Sequence, residues 1–195
     1  MRRWFLIILS VITLAGCSQM NIEDYAGAKP TFRPEEYFLG RTRAWGFFQD
    51  RFGNIRRQFV VDIDGSMDGG QLVLDESFVY ADGERAKRVW RIRSLGDGRY
   101  EGTAGDVVGV AQGRVAGNAM QWAYDFDLPI GQSVWRVHFD DWMLLQDDEV
   151  MLNKSTITKF GVELGEVFIF FRRLAPDGTA DISPGDPALA QQAAE

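Results

Sequence analysis

In MQWAYDFDL, residues 120–128, every second side chain is large and apolar: Met120, Trp122, Tyr124, Phe126 and Leu128. Gln121, Ala123, Asp125 and Asp127 fill the gaps. A period of two places these sets on opposite faces of an extended strand, one dry and one wet. The pattern recurs upstream, where Phe59, Val61 and Ile63 alternate with Gln58, Val60, Asp62 and Asp64. Turn-forming pairs separate such runs: Gly53-Asn54, Asp64-Gly65, Gly69-Gly70, Asp82-Gly83, Asp97-Gly98, Gly117-Asn118, Gly131 and Gly161. The segments between them predict ten strands, at 40–50, 55–64, 71–80, 86–94, 99–104, 107–115, 118–128, 132–145, 149–160 and 164–173. A short helix is expected near Pro34–Phe38, where proline suits a first helical turn.

Strands this long, joined by tight turns, favour a meander of hairpins. Eight to ten of them remove their unpaired edges by closing on themselves. The expected fold is therefore all-β: one antiparallel up-and-down β-barrel of lipocalin or calycin type, with a two-sheet sandwich as the other architecture. A membrane-spanning barrel is disfavoured, because Arg41 and Arg43, or Lys87, Arg91 and Arg93, would interrupt the apolar face that lipid requires.

The N-terminus, MRRWFLIILSVITLAGCSQ, reads as an address rather than as structure. Arg2 and Arg3 precede a short apolar stretch ending in Leu14-Ala15-Gly16-Cys17. Small residues before a cysteine form a lipobox, and Cys17 is the single cysteine of the 195 residues. The expectation is a lipoprotein signal peptide over 1–16, lipid attachment at Cys17, a tether over 17–30, a barrel over 31–174 and a disordered tail over 175–195. Several acyl chains on one residue anchor far more firmly than one. Serine rather than aspartate at position 18 points to the outer membrane, with the domain facing the periplasm. Loss of Arg2 and Arg3 with the signal takes the net charge from −7 to −9. So acidic a surface argues against nucleic acid as a partner. The partner expected is the membrane itself, through Cys17.

Polar residues stranded on apolar faces are the candidates for function. Glu76 shares a face with Leu72, Leu74, Phe78 and Tyr80. Asp141 lies among Trp135, Val137, Phe139 and Met143, and Arg88 beside Ala86, Trp90 and Ile92. On the last strand Glu166, Phe168, Phe170 and Arg172 share a face, taken as the inner one. Inward charges are costly unless paired. Either these groups neutralise one another, or an inward arginine meets the acidic head of a ligand. The candidate ligand-binding set is Arg88, Trp90, Glu76, Asp141, Arg172 and Tyr124, with Arg88 preferred over Arg172. Trp45 also invites comparison with the first-strand tryptophan of lipocalins, which an arginine from the last strand covers. Gly40 stands too far ahead of it to complete that motif.

His138 is the only histidine and has Asp140, Asp141, Asp147 and Asp148 nearby. Zinc sites use three or four ligands, usually with more than one histidine. Neither a metal nor a cofactor is therefore expected. A triad with Ser133 or Ser155 lacks a Gly-x-Ser-x-Gly elbow. Alternation puts His138 and Asp140 on one face and Asp141 on the other, leaving Asp140 as the local partner of His138.

Five stretches, RAWGFFQDRFG (43–53), FVYADGE (78–84), YEGTAGDVVGVAQG (100–113), HFDDWMLLQDD (138–148) and KFGVELGEVFIFFRR (159–173), resemble an uncharacterised family of proteobacterial lipoproteins, domain of unknown function 3833. The resemblance covers roughly 32–173 and fits the lipobox. It implies location and family, and no activity, cofactor or catalytic residue. The function expected is binding or carriage of a hydrophobic small molecule, a fatty acid or a lipid, inside the barrel. The alternatives are a filled barrel acting as an interaction lipoprotein of the envelope, and a lipid-acting enzyme using His138.

Overall fold

A computed structural model describes residues 20–175. The signal peptide expected over 1–16, Cys17 and the tail expected beyond residue 175 lie outside the described residues. Ten strands form a single closed antiparallel barrel: β1 (Gly40–Asp50), β2 (Ile55–Asp68), β3 (Gln71–Tyr80), β4 (Arg85–Gly96), β5 (Arg99–Thr103), β6 (Val107–Ala116), β7 (Ala119–Ile130), β8 (Ser133–Leu145), β9 (Val150–Lys159) and β10 (Val162–Arg173). Each strand pairs with its neighbour in sequence, and β1 closes against β10 with Thr42 opposite Arg173 and Asp50 opposite Gly165. The barrel is of the predicted up-and-down type, and closure leaves no sheet edge unpaired.

The core is the inner set of alternating side chains. Val61 and Ile63 of β2, Leu72 and Leu74 of β3, Trp90 and Ile92 of β4, and Met120, Trp122, Tyr124 and Phe126 of β7 are all buried. The outer wall instead carries cross-strand ion pairs such as Arg41–Asp64, Arg43–Asp62, Lys87–Asp75 and Lys154–Glu166. Each is worth little in water, but together they keep that surface wet.

The two ends differ. The turns after β2, β4, β6 and β8 lie at one end, which a short segment plugs. There α1 (Pro34–Tyr37) begins at a proline, and the aromatic residues around it fill the opening. Phe38 meets Phe171 of β10 edge-on at 5.9 Å, and the Tyr37 hydroxyl donates to the Glu149 carbonyl at 2.9 Å. A Cβ on Gly65 would lie 1.7 Å from the Phe38 carbonyl oxygen, so glycine is what lets the plug close on β2. The segment before the plug, part of the tether expected over 17–30, packs on the barrel. A 3-10 turn over Ile22–Tyr25 buries Ile22 against Ala119 and Trp142, on the outside of the barrel. The Phe32 N–H donates to the Gly117 carbonyl at 2.8 Å. Its few apolar side chains, looking isolated in a polar stretch, find partners on the barrel wall.

Glycine also places the interior aromatics. A Cβ on Gly113 of β6 would lie 2.4 Å from the Trp122 ring, and one on Gly102 of β5 would lie 2.8 Å from it. The indole occupies space that both glycines leave open. Gly113→Ala is expected to displace Trp122 and lower stability by about 1–3 kcal/mol, the usual cost of overpacking. Urea denaturation measures it, and an unchanged midpoint would show that the ring has room to move.

Candidate functional site

Inside the barrel lies a cavity of about 580 Å³, running from Pro34 and Phe38 at the plug to Leu128, Ile130 and Trp135 at the open end. Its walls are mostly apolar, with aromatic and aliphatic side chains in about equal share. Trp90 meets Trp122 edge-on at 5.6 Å and Tyr124 at 5.4 Å, while Tyr124 stacks on Phe139 at 5.1 Å. The Arg57 guanidinium lies 3.4 Å from the Tyr80 ring at the mouth. Between β3 and β4 the register sets Glu76 opposite Arg88, and between β7 and β8 it sets Tyr124 opposite Phe139.

A small polar cluster interrupts this wall. Arg88 Nε donates to both carboxylate oxygens of Asp106, at 3.1 and 2.9 Å, and Arg88 Nη1 lies 3.9 Å from Glu76 Oε2. The guanidinium carbon sits 5.0 Å from the centre of the Phe126 ring. Glu76 is buried deeply enough to raise its pKa to about 7, against the pull of Arg88. Asp141 is 6 % exposed. Burial raises its pKa to about 7 as well, opposed by the Ser155 hydroxyl and the Arg88 charge. Asp141 Oδ1 has no hydrogen-bond partner among the described residues, nor does Nδ2 of Asn153 on the neighbouring strand. Burial also pushes the Tyr124 phenol well above its ordinary value, so it stays protonated.

Five of the six candidates meet here: Glu76, Arg88, Trp90, Tyr124 and Asp141 all line the cavity. Arg172 does not. The inner residues of β10 are Leu164, Val167, Ile169 and Phe171. The face shared by Glu166, Phe168, Phe170 and Arg172 is the outer one, where Glu166 pairs with Lys154 at 2.6 Å and Arg172 lies 3.5 Å from Glu149. From Val167 to Phe171 the strand is apolar on both sides, so alternation alone does not choose its inner face. Trp45 is outward too, packed on Phe170 at 5.9 Å. The chain's partner for Arg88 was missed as well. Asp106 sits in the turn between β5 and β6, where no periodicity points inward. Asn153 and Ser155 were legible in principle, since Met151, Asn153, Ser155 and Ile157 alternate along β9 as the buried set.

His138 is on the outer wall. Its Nδ1 lies 2.9 Å from Asp125 Oδ1, its cross-strand neighbour on β7. Asp140, the expected partner, instead accepts a hydrogen bond from Gln121 Nε2 at 2.8 Å. Ser155 is inside, so the wall separates it from His138. Among the described residues no group of three His, Cys, Asp or Glu side chains is arranged to hold a metal ion. The outer wall does carry its own broad concavity, about 1250 Å³, lined by Met20, Trp45, Phe47, Leu152, Phe168 and Phe170 among others. There Phe47 stacks on Phe168 at 5.3 Å.

The fold is similar to that of the S-type phycobiliprotein lyase CPES from Guillardia theta, with a TM-score of 0.54 over 72% of this chain and 90% of that one, at 10% identity. At that identity the likeness is one of fold. Comparison with curated proteins finds no match. The family model for a protein of unknown function, DUF3833, matches residues 11–173, which takes in every strand of the barrel, and the chain belongs to that family.

Proposed function

We propose that this protein is a membrane-anchored lipoprotein that binds or carries a hydrophobic small molecule inside its barrel. The observation that carries this reading is the interior cavity. At about 580 Å³ it falls within the roughly 300–1,000 Å³ of small-molecule sites, and it has their composition: an apolar wall with a few convergent polar groups. A barrel that served only as a scaffold would fill this space with side chains. The fold likeness to a phycobiliprotein lyase is compatible with a small-molecule role. Cys17 is the proposed lipid attachment, at the periplasmic side of the outer membrane. Only Ser18 and Gln19 separate it from Met20, a span of about 10 Å. The anchor therefore holds the barrel close to the bilayer, on the side of Met20 and its aromatic neighbours Trp45 and Phe170.

Solvent extraction of the purified protein followed by mass spectrometry tests for a carried molecule. Leu128→Trp supplies the control, because Leu128 lines the cavity near its mouth and the larger ring obstructs entry. The expected result is a recurrent small molecule from the wild type and at least tenfold less from Leu128→Trp. Equal recovery from both would place the molecule on the outer wall and remove the basis of the reading.

A further inference from the structure

The interior polar cluster has more acid than base. Glu76 on β3, Asp141 on β8 and Asp106 in the turn before β6 surround Arg88 on β4; the other two arginines of the cavity wall, Arg56 and Arg57, are taken up at the mouth by Asp50 and Glu84. The other polar groups turned toward them, Tyr124 on β7 and Asn153 and Ser155 on β9, carry no charge. Arg88 is already engaged by Asp106 at 2.9 Å and by Glu76 at 3.9 Å. It is therefore a poor receptor for the carboxylate of a fatty acid, which would enter beside Glu76 and Asp141 and meet like charge. What the cluster lacks is a second cation. Asp141 marks the place for it: the residue lines the cavity, the Ser155 and Tyr124 hydroxyls act on its carboxylate, and its Oδ1 is buried without a hydrogen-bond partner among the described residues. An ionised carboxylate only accepts hydrogen bonds, so its complement is a donor, and a charged donor is the strongest. The surrounding rings favour the same sign. Trp90, Trp122, Tyr124, Phe126 and Phe139 present π-faces that attract cations, and Phe126 already takes the guanidinium of Arg88 at 5.0 Å.

Resting on the reading of the cavity as a ligand site, we propose that its ligand is a lipophilic molecule carrying a protonated nitrogen, seated with that nitrogen on Asp141 and its apolar body along the apolar wall. Glu76 and Arg88 then form a neighbouring pair that holds the acid balance of the cluster. Asp141 is a binding residue here, with no chemistry asked of it.

Three probes of equal chain length separate the possibilities: octylamine, octanoate and octanol, each titrated into the protein at pH 7.5 and followed by tryptophan fluorescence from Trp90 and Trp122. Octylamine is expected to bind at least tenfold more tightly than octanol, and octanoate more weakly than octanol. Asp141→Asn, which keeps the shape and removes the charge, is expected to abolish the preference for the amine over octanol. Octanoate binding as tightly as octylamine, or an amine preference that survives in Asp141→Asn, overturns the proposal and leaves the cavity reading standing. Failure of all three probes to bind wild type, or their equal binding to Leu128→Trp, overturns both.

Discussion

Replacing Arg88 with methionine is expected to lower folding stability by about 3–5 kcal/mol at pH 8, the cost of removing one partner from a buried ion pair. Methionine keeps most of the apolar stem that packs on Phe126, so the loss is chiefly electrostatic. The guanidinium donates to Asp106 at 2.9 Å and is the main influence holding Glu76 down against burial. Without it, Asp106 can turn toward water at the mouth, but Glu76 has only a 13 % exposed side chain and must protonate or stay charged in an apolar wall. The sign with pH follows. Glu76 already has a pKa raised to about 7, and the variant raises it further. Below about pH 6 both native proteins hold the proton, so most of the penalty disappears; above that, the variant carries the full cost. Urea denaturation at pH 5.5 and 8 measures the difference. An equal loss at both values would mean that Arg88 contributes packing and no charge balance.

The architecture was readable because each strand states its own period and each turn its own residues. Met120 to Leu128 alternate without a break, and Gly117-Asn118 and Gly131 bracket them. A closed barrel follows once ten such runs are placed end to end. The inner faces of β3, β4, β7 and β8 were likewise legible, and with them Glu76, Arg88, Trp90, Tyr124 and Asp141. β10 was not, for a physical reason. Val167, Phe168, Ile169, Phe170 and Phe171 form an unbroken apolar run, so alternation carries no information there. The outer aromatics Phe168 and Phe170 are as hydrophobic as the inner Ile169 and Phe171, so nothing local tells that Arg172 shares the outer face. Partners across strands were also hidden. That His138 meets Asp125, and Arg88 meets Asp106, depends on register and on the folding-in of a turn, neither of which is written in the local pattern. The packing of Ile22 on Ala119 and Trp142 is hidden for a similar cause: a short polar stretch masks a single apolar residue whose partners are a hundred positions away.

Asp141→Asn is expected to raise stability by about 1–3 kcal/mol at pH 8, the reverse of the usual effect of changing a buried polar residue. Burial raises the Asp141 pKa from the ordinary 3.8 to about 7. Between those values the native state binds a proton that the unfolded chain has released, so native stability falls as pH rises through the window from about 4 to about 7 and levels off above it. The gap corresponds to on the order of 4 kcal/mol. Asparagine keeps the shape of the neutral acid and does not titrate, so it avoids this loss. It leaves amide hydrogens without a partner at a cost of about 1–3 kcal/mol, which reduces the gain and makes the variant neutral or slightly weaker at pH 5. Glu76 titrates in the same window, so the slope of stability against pH should be roughly halved and not abolished. Denaturation at half-unit steps from pH 5 to 8 reads that slope, and a variant parallel to the wild type would mean that Asp141 is ionised throughout. The direction of the effect also bears on binding. A carboxylate whose removal is expected to strengthen the fold, in a wall beside Phe139 and Met143, is the partner that the proposed protonated nitrogen would stabilise. A protonated nitrogen seated on Asp141 should accordingly move its titration below the window and restore at pH 8 the stability that the empty barrel lacks.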